Sequence, residues 1–244
     1  MTDIYPGAAG ETPQDGRQAA APIGPDEVRA AYQTLLKYKA GKANLEKRII
    51  DNQQWYKLRQ WECLRRRGGE REQIEPVSAW LFNAIANKHA DAMDAFPAAS
   101  ILPREQGDSA QAEMLSAVVP VVLDECDFES VYSGVTDDKL ISGTGVYGVF
   151  WDAAKLNGLG EIDIVQTDVI NLFWESGVTD IQQSRNLFYV SLRDNALLEE
   201  EYPQLRGRLS APVMDVARYI YDDSVDTAEK SVVVDWYYKK RQGR

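Results

Sequence analysis

The spacing of apolar positions changes partway along the chain. From Pro25 to about Arg67 the chain reads as helix: Leu35, Tyr38, Leu45 and Ile49 recur at helical intervals, Tyr56 and Cys63 continue that face, and Lys, Arg, Glu and Gln crowd the rest. Pro25-Asp26-Glu27 opens the helix with carboxylates near the positive end of its dipole. Gly41 is a point where it would split in two, and Gly68-Gly69 ends it. A second helix is predicted from about Pro76 to Phe96, with Val77, Trp80, Leu81, Ala84, Ile85 and Met93 on its apolar side. Pro97 and the segment Ala99-Ser100-Ile101-Leu102-Pro103 break it. A third helix follows over Ser109 to Cys126, bent at Pro120, and a fourth over Phe128 to Ser142.

Beyond Gly143 the period shortens to that of strands. Val146 to Trp151 is apolar on both faces, which predicts a strand covered on both sides. On that reading Trp151→Asp would collapse the fold by burying an unpaired charge. Asn157-Gly158-Leu159-Gly160 is a turn signal, and Glu161 to Val165 places Ile162 and Ile164 on one side, so the pair reads as a hairpin with a longer loop. Further strands are predicted over Asp168 to Trp174, Asn186 to Leu192 and Ser231 to Tyr238. Asp194 caps a short helix across Ala196 to Tyr202, which Pro203 stops. Helices first and strands afterwards predict an α+β fold, the strands mostly antiparallel. Residues 1–24, rich in Gly, Ala, Pro and Gln with no apolar period, read as a flexible arm. Residues 25–244 then form one α+β domain, helical over 25–142 and β-rich over 143–240.

Composition narrows the function. Of 244 residues 44% are hydrophobic, enough for a packed core, and the net charge is −11. An acidic chain does not grip phosphate backbones broadly, which needs clustered Lys and Arg, though this does not exclude a ring whose negative walls repel passing DNA. Cys63 and Cys126 are far apart and form no CxxC pair, so a disulfide framework is not expected and a reducing cytoplasm fits. No basic start followed by an apolar run indicates a secretory signal, and no stretch approaches the roughly 18–20 apolar residues that span a bilayer.

Catalytic signals are sparse. A Ser-His-Asp or Cys-His mechanism would have to use His89, the single histidine, whose helical neighbours Ile85, Ala86 and Met93 make it a packed helix residue. Asp222, Asp223 and Asp226 lack the glycine and terminal glutamate of a calcium loop and read as a solvated acidic loop. Gly143-Thr144-Gly145-Val146-Tyr147-Gly148 fits G-x-G-x-x-G, but a helix precedes it and a strand follows, the reverse of a dinucleotide site. There is no GxxxxGK[ST] loop of the kind a P-loop ATPase carries. Trp55-Tyr56-Lys57-Leu58-Arg59-Gln60-Trp61 with Arg65-Arg66-Arg67 mixes aromatic and basic residues; DNA contact and subunit contact both use that mixture, and subunit contact is favoured. No catalytic, cofactor-binding or metal-binding residue is assigned.

Several segments in order resemble the portal proteins of tailed bacteriophages, of the P22-like podovirus type. They are the early helix with Asn52-Gln53-Gln54-Trp55-Tyr56, the helix with Asn83-Ala84-Ile85-Ala86-Asn87-Lys88, and the run Leu140-Ile141-Ser142-Gly143-Thr144-Gly145-Val146-Tyr147-Gly148-Val149-Phe150-Trp151. Behind these come Glu161-Ile162-Asp163-Ile164-Val165, the Asp168 to Trp174 stretch, Leu197-Leu198-Glu199-Glu200-Glu201-Tyr202-Pro203 and Val232-Val233-Val234-Asp235-Trp236-Tyr237-Tyr238-Lys239-Lys240. The resemblance runs from about Pro25 to Lys240 and implies the outer wing of a portal subunit, without enzymatic activity or cofactor. It also implies a homo-oligomeric ring, usually of twelve copies, at one capsid vertex. The implied partners are capsid and scaffolding proteins, the terminase large subunit, tail or adaptor proteins, and double-stranded DNA passing without sequence specificity; no membrane is involved. Assembly would occur in the bacterial host cytoplasm. The family's stem helices and clip are not seen here, so a wing fragment is expected. Ring contacts are expected on the helices from Pro25 to Phe96, with the β-rich half stiffening the subunit. The alternatives are a non-catalytic α+β virion or adaptor protein and, further off, a nucleotide-binding enzyme.

Overall fold

A computed structural model describes residues 23–61, 76–153, 155–209 and 229–239. The elements in chain order are α1 (Pro25–Tyr56), α2 (Trp80–Asp94), α3 (Ser109–Glu125), α4 (Phe128–Ser142), β1 (Val146–Asp152), β2 (Glu161–Thr167), β3 (Leu172–Trp174), β4 (Asn186–Asp194), α5 (Asn195–Glu201) and β5 (Lys230–Tyr238). Helices precede antiparallel strands, the expected α+β order. They divide between two compact units, one spanning Ala79–Thr167 and the other built from Pro22–Ser78 and Asp168–Arg244.

In the second unit, α1 lies against a three-stranded antiparallel sheet of order β3-β4-β5. Ala31, Leu35 and Tyr38 descend from the helix onto Phe173, Phe188 and Val190, with Val232 and Trp236 packed alongside. Register explains the grouping. Phe173 and Trp236 both sit opposite Phe188, so three aromatic residues share one face of the sheet. Phe173 and Val190 are 0% exposed, and each such side chain contributes roughly 1.5–3 kcal/mol by leaving water. Asp194 caps α5 as expected, its carboxylate accepting from the Ala196 N–H at 2.8 Å.

Two expectations for α1 change. The helix runs unbroken through Gly41, and the break falls at Lys57–Arg59, where Leu58 takes φ +61°. Gly41 stands there for closeness rather than flexibility: a Cβ at this position would lie 2.6 Å from Ser176 Oγ. The expected Gly68-Gly69 stop, Cys63 and Arg65-Arg66-Arg67 lie outside the described residues, as do residues 1–22 of the arm.

In the first unit, α4 packs on α2 and on β2, with a smaller contact to α3. β1 and β2 form an antiparallel hairpin joined through a helical turn at Lys155–Gly158, where Leu156, Asn157 and Gly158 all take positive φ. The α2 helix begins at Trp80 instead of near Pro76, and Ile85 is its one buried residue. Trp80 is 79% exposed, so the apolar side expected of this helix is largely bare at its start. α3 continues through Pro120.

The strand expected to be covered on both faces is covered on one. Along β1 burial alternates: Gly148 is buried while Tyr147, Val149 and Trp151 face solvent. In a hairpin, residues directly opposite share a face, so Val149 with Ile164 and Trp151 with Ile162 form an exposed apolar side. Trp151 is 60% exposed, and Trp151→Asp therefore buries no charge.

Candidate functional site

Ser, His and Asp do converge, between α2 and α4. His89 Nε2 lies 3.0 Å from Ser133 Oγ, 3.3 Å from the Ser133 carbonyl oxygen and 3.7 Å from Asp137 Oδ1. A catalytic relay needs the two ring nitrogens on different partners, one facing the nucleophile and the other the carboxylate. Here one nitrogen faces all three groups. The arrangement is a polar tie between two packed helices, with Ser133 and Asp137 one turn apart on α4. That pair carried the available sequence signal, since i and i+4 polar residues share a helical face.

The Gly143 to Gly148 motif lies where a helix ends and a strand begins, as expected. Gly143 takes φ +82° and returns its N–H to the Lys139 carbonyl at 3.0 Å, closing α4. A Cβ on Gly145 would collide with the backbone carbonyl of Val135, and one on Gly148 would meet Thr167 Oγ1 at 2.8 Å. The glycines let the chain double back closely onto α4 and β2. No helix N-terminus follows to receive a phosphate.

Within the aromatic and basic run, Trp61 donates its indole N–H to the Pro76 carbonyl at 3.0 Å, and Trp55 is exposed. Asp222, Asp223 and Asp226 lie outside the described residues. Among the described residues no group of three His, Cys, Asp or Glu is arranged to hold a metal ion, and no helix is long and apolar enough to cross a membrane.

Sequence reasoning missed a buried lysine. Lys42, on α1, is 8% exposed. Its ammonium donates to the carbonyls of Val169, Ile170 (2.9 Å) and Leu172 (2.7 Å), and it stands over the Phe173 ring at 4.4 Å. Burial draws it down to about 8, against the pull of Glu46 and Asp168. Asp168 is itself pushed up by burial, opposed by the Ile170 N–H and by Lys42. The period of α1 carried the signal: Lys42 falls four residues after Tyr38 and three before Leu45, on the stripe that the helix buries.

The first unit has the strongest interaction features. On α3, Met114, Leu115, Val118 and Val121 are all exposed at helical spacing, and Ala112 is the one buried residue of that helix. A cavity of about 320 Å³ opens at the α3–α4 junction, bounded by Phe96, Pro97, Pro120, Leu123 and Phe128 and by the carboxylates Asp124, Asp127 and Glu129. Behind it Phe96 stands edge-on to Phe128 (6.0 Å) and to Tyr132 (5.3 Å). These surfaces are built of apolar and acidic groups. A family model described as phage P22-like portal protein matches residues 47–244. No curated protein matches the chain.

Proposed function

The chain belongs to the family of phage P22-like portal proteins, and from that premise we propose that residues 25–244 form the wing of a portal ring subunit. The family's role is structural: its members sit at the capsid vertex of a bacteriophage and serve genome packaging. In our reading the ring has twelve copies and frames part of the channel for packaging and ejection. It docks the terminase large subunit during packaging and tail or adaptor proteins afterwards. It contacts capsid and scaffolding proteins, and double-stranded DNA passes it without sequence recognition. Assembly takes place in the host cytoplasm.

The family match over most of the chain carries this reading. The exposed apolar residues of α2, α3 and the hairpin support it, because an isolated subunit of an assembly shows such surface where a monomer covers it. The acidic balance of the chain suits a wall along which DNA slides without sticking. The test is genetic. A nonsense mutation in the gene should give phage heads that assemble without DNA, with the protein lost from one vertex by immunogold labelling. DNA-filled heads from the mutant would overturn the proposal.

A further inference from the structure

The cavity at the α3–α4 junction has the chemistry of a guanidinium site. Phe96, Leu123 and Phe128 give it an apolar wall, and Asp124, Asp127 and Glu129 line the same space. The two rings meet edge to face at 6.0 Å, and Tyr132 contacts both, at 5.3 Å from Phe96 and 6.3 Å from Phe128. All three carboxylates are exposed, and none has a side-chain partner among the described residues. An arginine head is planar and weakly hydrated; it stacks on aromatic rings while its N–H fork meets carboxylates. At about 320 Å³ the space lies near the lower end of ligand sites, roughly 300–1,000 Å³, so it admits one or two side chains and excludes a helix.

The same sequence supplies a matching projection. Arg206 and Arg208 flank Gly207 at an exposed turn, and neither guanidinium has a partner among the described residues. The turn is held in shape. Gly207 takes φ +68° and donates its N–H to Glu199 Oε1 at 3.0 Å, and the Arg208 N–H donates to the Leu205 carbonyl at 2.9 Å. Such preorganisation lowers the entropy lost on docking. Lys47 and Arg48 are also exposed, but neighbours on a helix point about 100° apart and do not enter one cavity together.

We propose that the Arg206-Gly207-Arg208 turn of one copy seats in the cavity bearing Asp124, Asp127 and Glu129 on the next. The contact joins two different patches, the head-to-tail arrangement that closes rings. It rests on the ring reading above and deepens it by naming the surfaces that meet. Copies each carrying −11 repel at a distance, so a local match of opposite charges fixes which faces approach.

Sedimentation velocity of the full 244-residue chain tests this at low and high salt, with circular dichroism melts to confirm folding. Arg206→Glu/Arg208→Glu and Asp124→Arg/Glu129→Arg should each weaken association about tenfold or more. The four changes together in one chain should restore most of it, since the charges again oppose. Two one-sided variants that associate like the original, or a combined variant that stays dissociated, would overturn the contact while leaving the ring reading in place. An original chain that never associates would sink both. Where charge reversal unfolds the protein, crosslinking decides. With Cys63→Ser and Cys126→Ser as background, oxidation should join Glu129→Cys copies to Arg208→Cys copies, and neither alone to itself. Absence of the mixed disulfide would overturn the proposal.

Discussion

Lys42 is where burial and charge conflict most directly. Its three protons are all taken by carbonyls of the Val169 to Leu172 segment, yet burial brings it from 10.5 to about 8. Below about pH 8 the lysine is protonated in folded and unfolded chains alike, and stability does not change with pH through it. Between about 8 and 10.5 the unfolded chain holds the extra proton, so this residue makes the fold more stable as pH rises. The gain across that window is on the order of 3 kcal/mol. Urea unfolding at pH 7.5 and pH 10 should therefore show the original chain gaining relative to Lys42→Met. At pH 7.5 the variant should be weaker by about 1–3 kcal/mol, because it leaves buried carbonyls without donors. A difference between the two proteins that is independent of pH would mean the carbonyl cage fully offsets the burial. Trp151 gives the opposite lesson. Its indole lies over Gly160, where an added Cβ would sit 2.5 Å from Nε1, and it faces Ile162 across the hairpin. Trp151→Asp should cost about 1 kcal/mol or less, a cross-strand pair, whereas Phe173→Ala in the covered core should cost about 3–5 kcal/mol. Thermal melts of the two variants check the contrast.

Elements whose limits are set by local chemistry were legible, and elements whose burial depends on distant partners were not. Phe128 to Ser142 is the helix that the sequence predicts, because Gly143 supplies the left-handed residue that ends it. Asp194 likewise announces α5, and Asp194→Ala should lower stability by about 0.5–2 kcal/mol through the lost cap. β1 reads as a doubly covered strand because Val, Phe and Trp suit either face of a sheet, and period alone does not say which face another layer reaches. Gly41 misleads for a related reason. A glycine within a helix reads as a breaker, but here it admits Ser176, a residue 135 positions away and invisible to any local window. Gly145 holds the sharper constraint. An added methyl would strike the Val135 backbone carbonyl, which has no rotamer by which to yield, so Gly145→Ala should destabilise the helix-to-strand turn by about 1–3 kcal/mol. An unchanged melting temperature would show that α4 and β1 can part there. At the candidate cavity, the residue types were visible in the sequence, but their convergence from the end of α2 and the α3–α4 junction was not.

For the whole molecule the decisive quantity is apolar surface left uncovered. The two compact units interleave in sequence, with α1 joining strands that begin more than a hundred residues later, so no composition shift marks their border at Thr167 and Asp168. The second unit buries a cluster around Leu35, Phe173, Phe188 and Val190, whereas the first keeps Met114, Leu115, Val118 and Val121 of α3 in water. A stripe of that kind stabilises nothing in an isolated chain and promotes association. If a neighbouring copy covers it, a single charge there should separate assembly from folding. Val118 is 48% exposed, so Val118→Asp should leave the melting temperature within a few degrees of the original, because the carboxylate stays hydrated. The same carboxylate at the centre of an interface would be stripped of water without a partner, and association measured by native mass spectrometry should fall about a hundredfold. An assembled Val118→Asp ring would place α3 on an outer surface and leave its apolar stripe to a different protein of the vertex. A variant that unfolds instead would show that α3 is already covered within its own unit, contrary to the burial described for it.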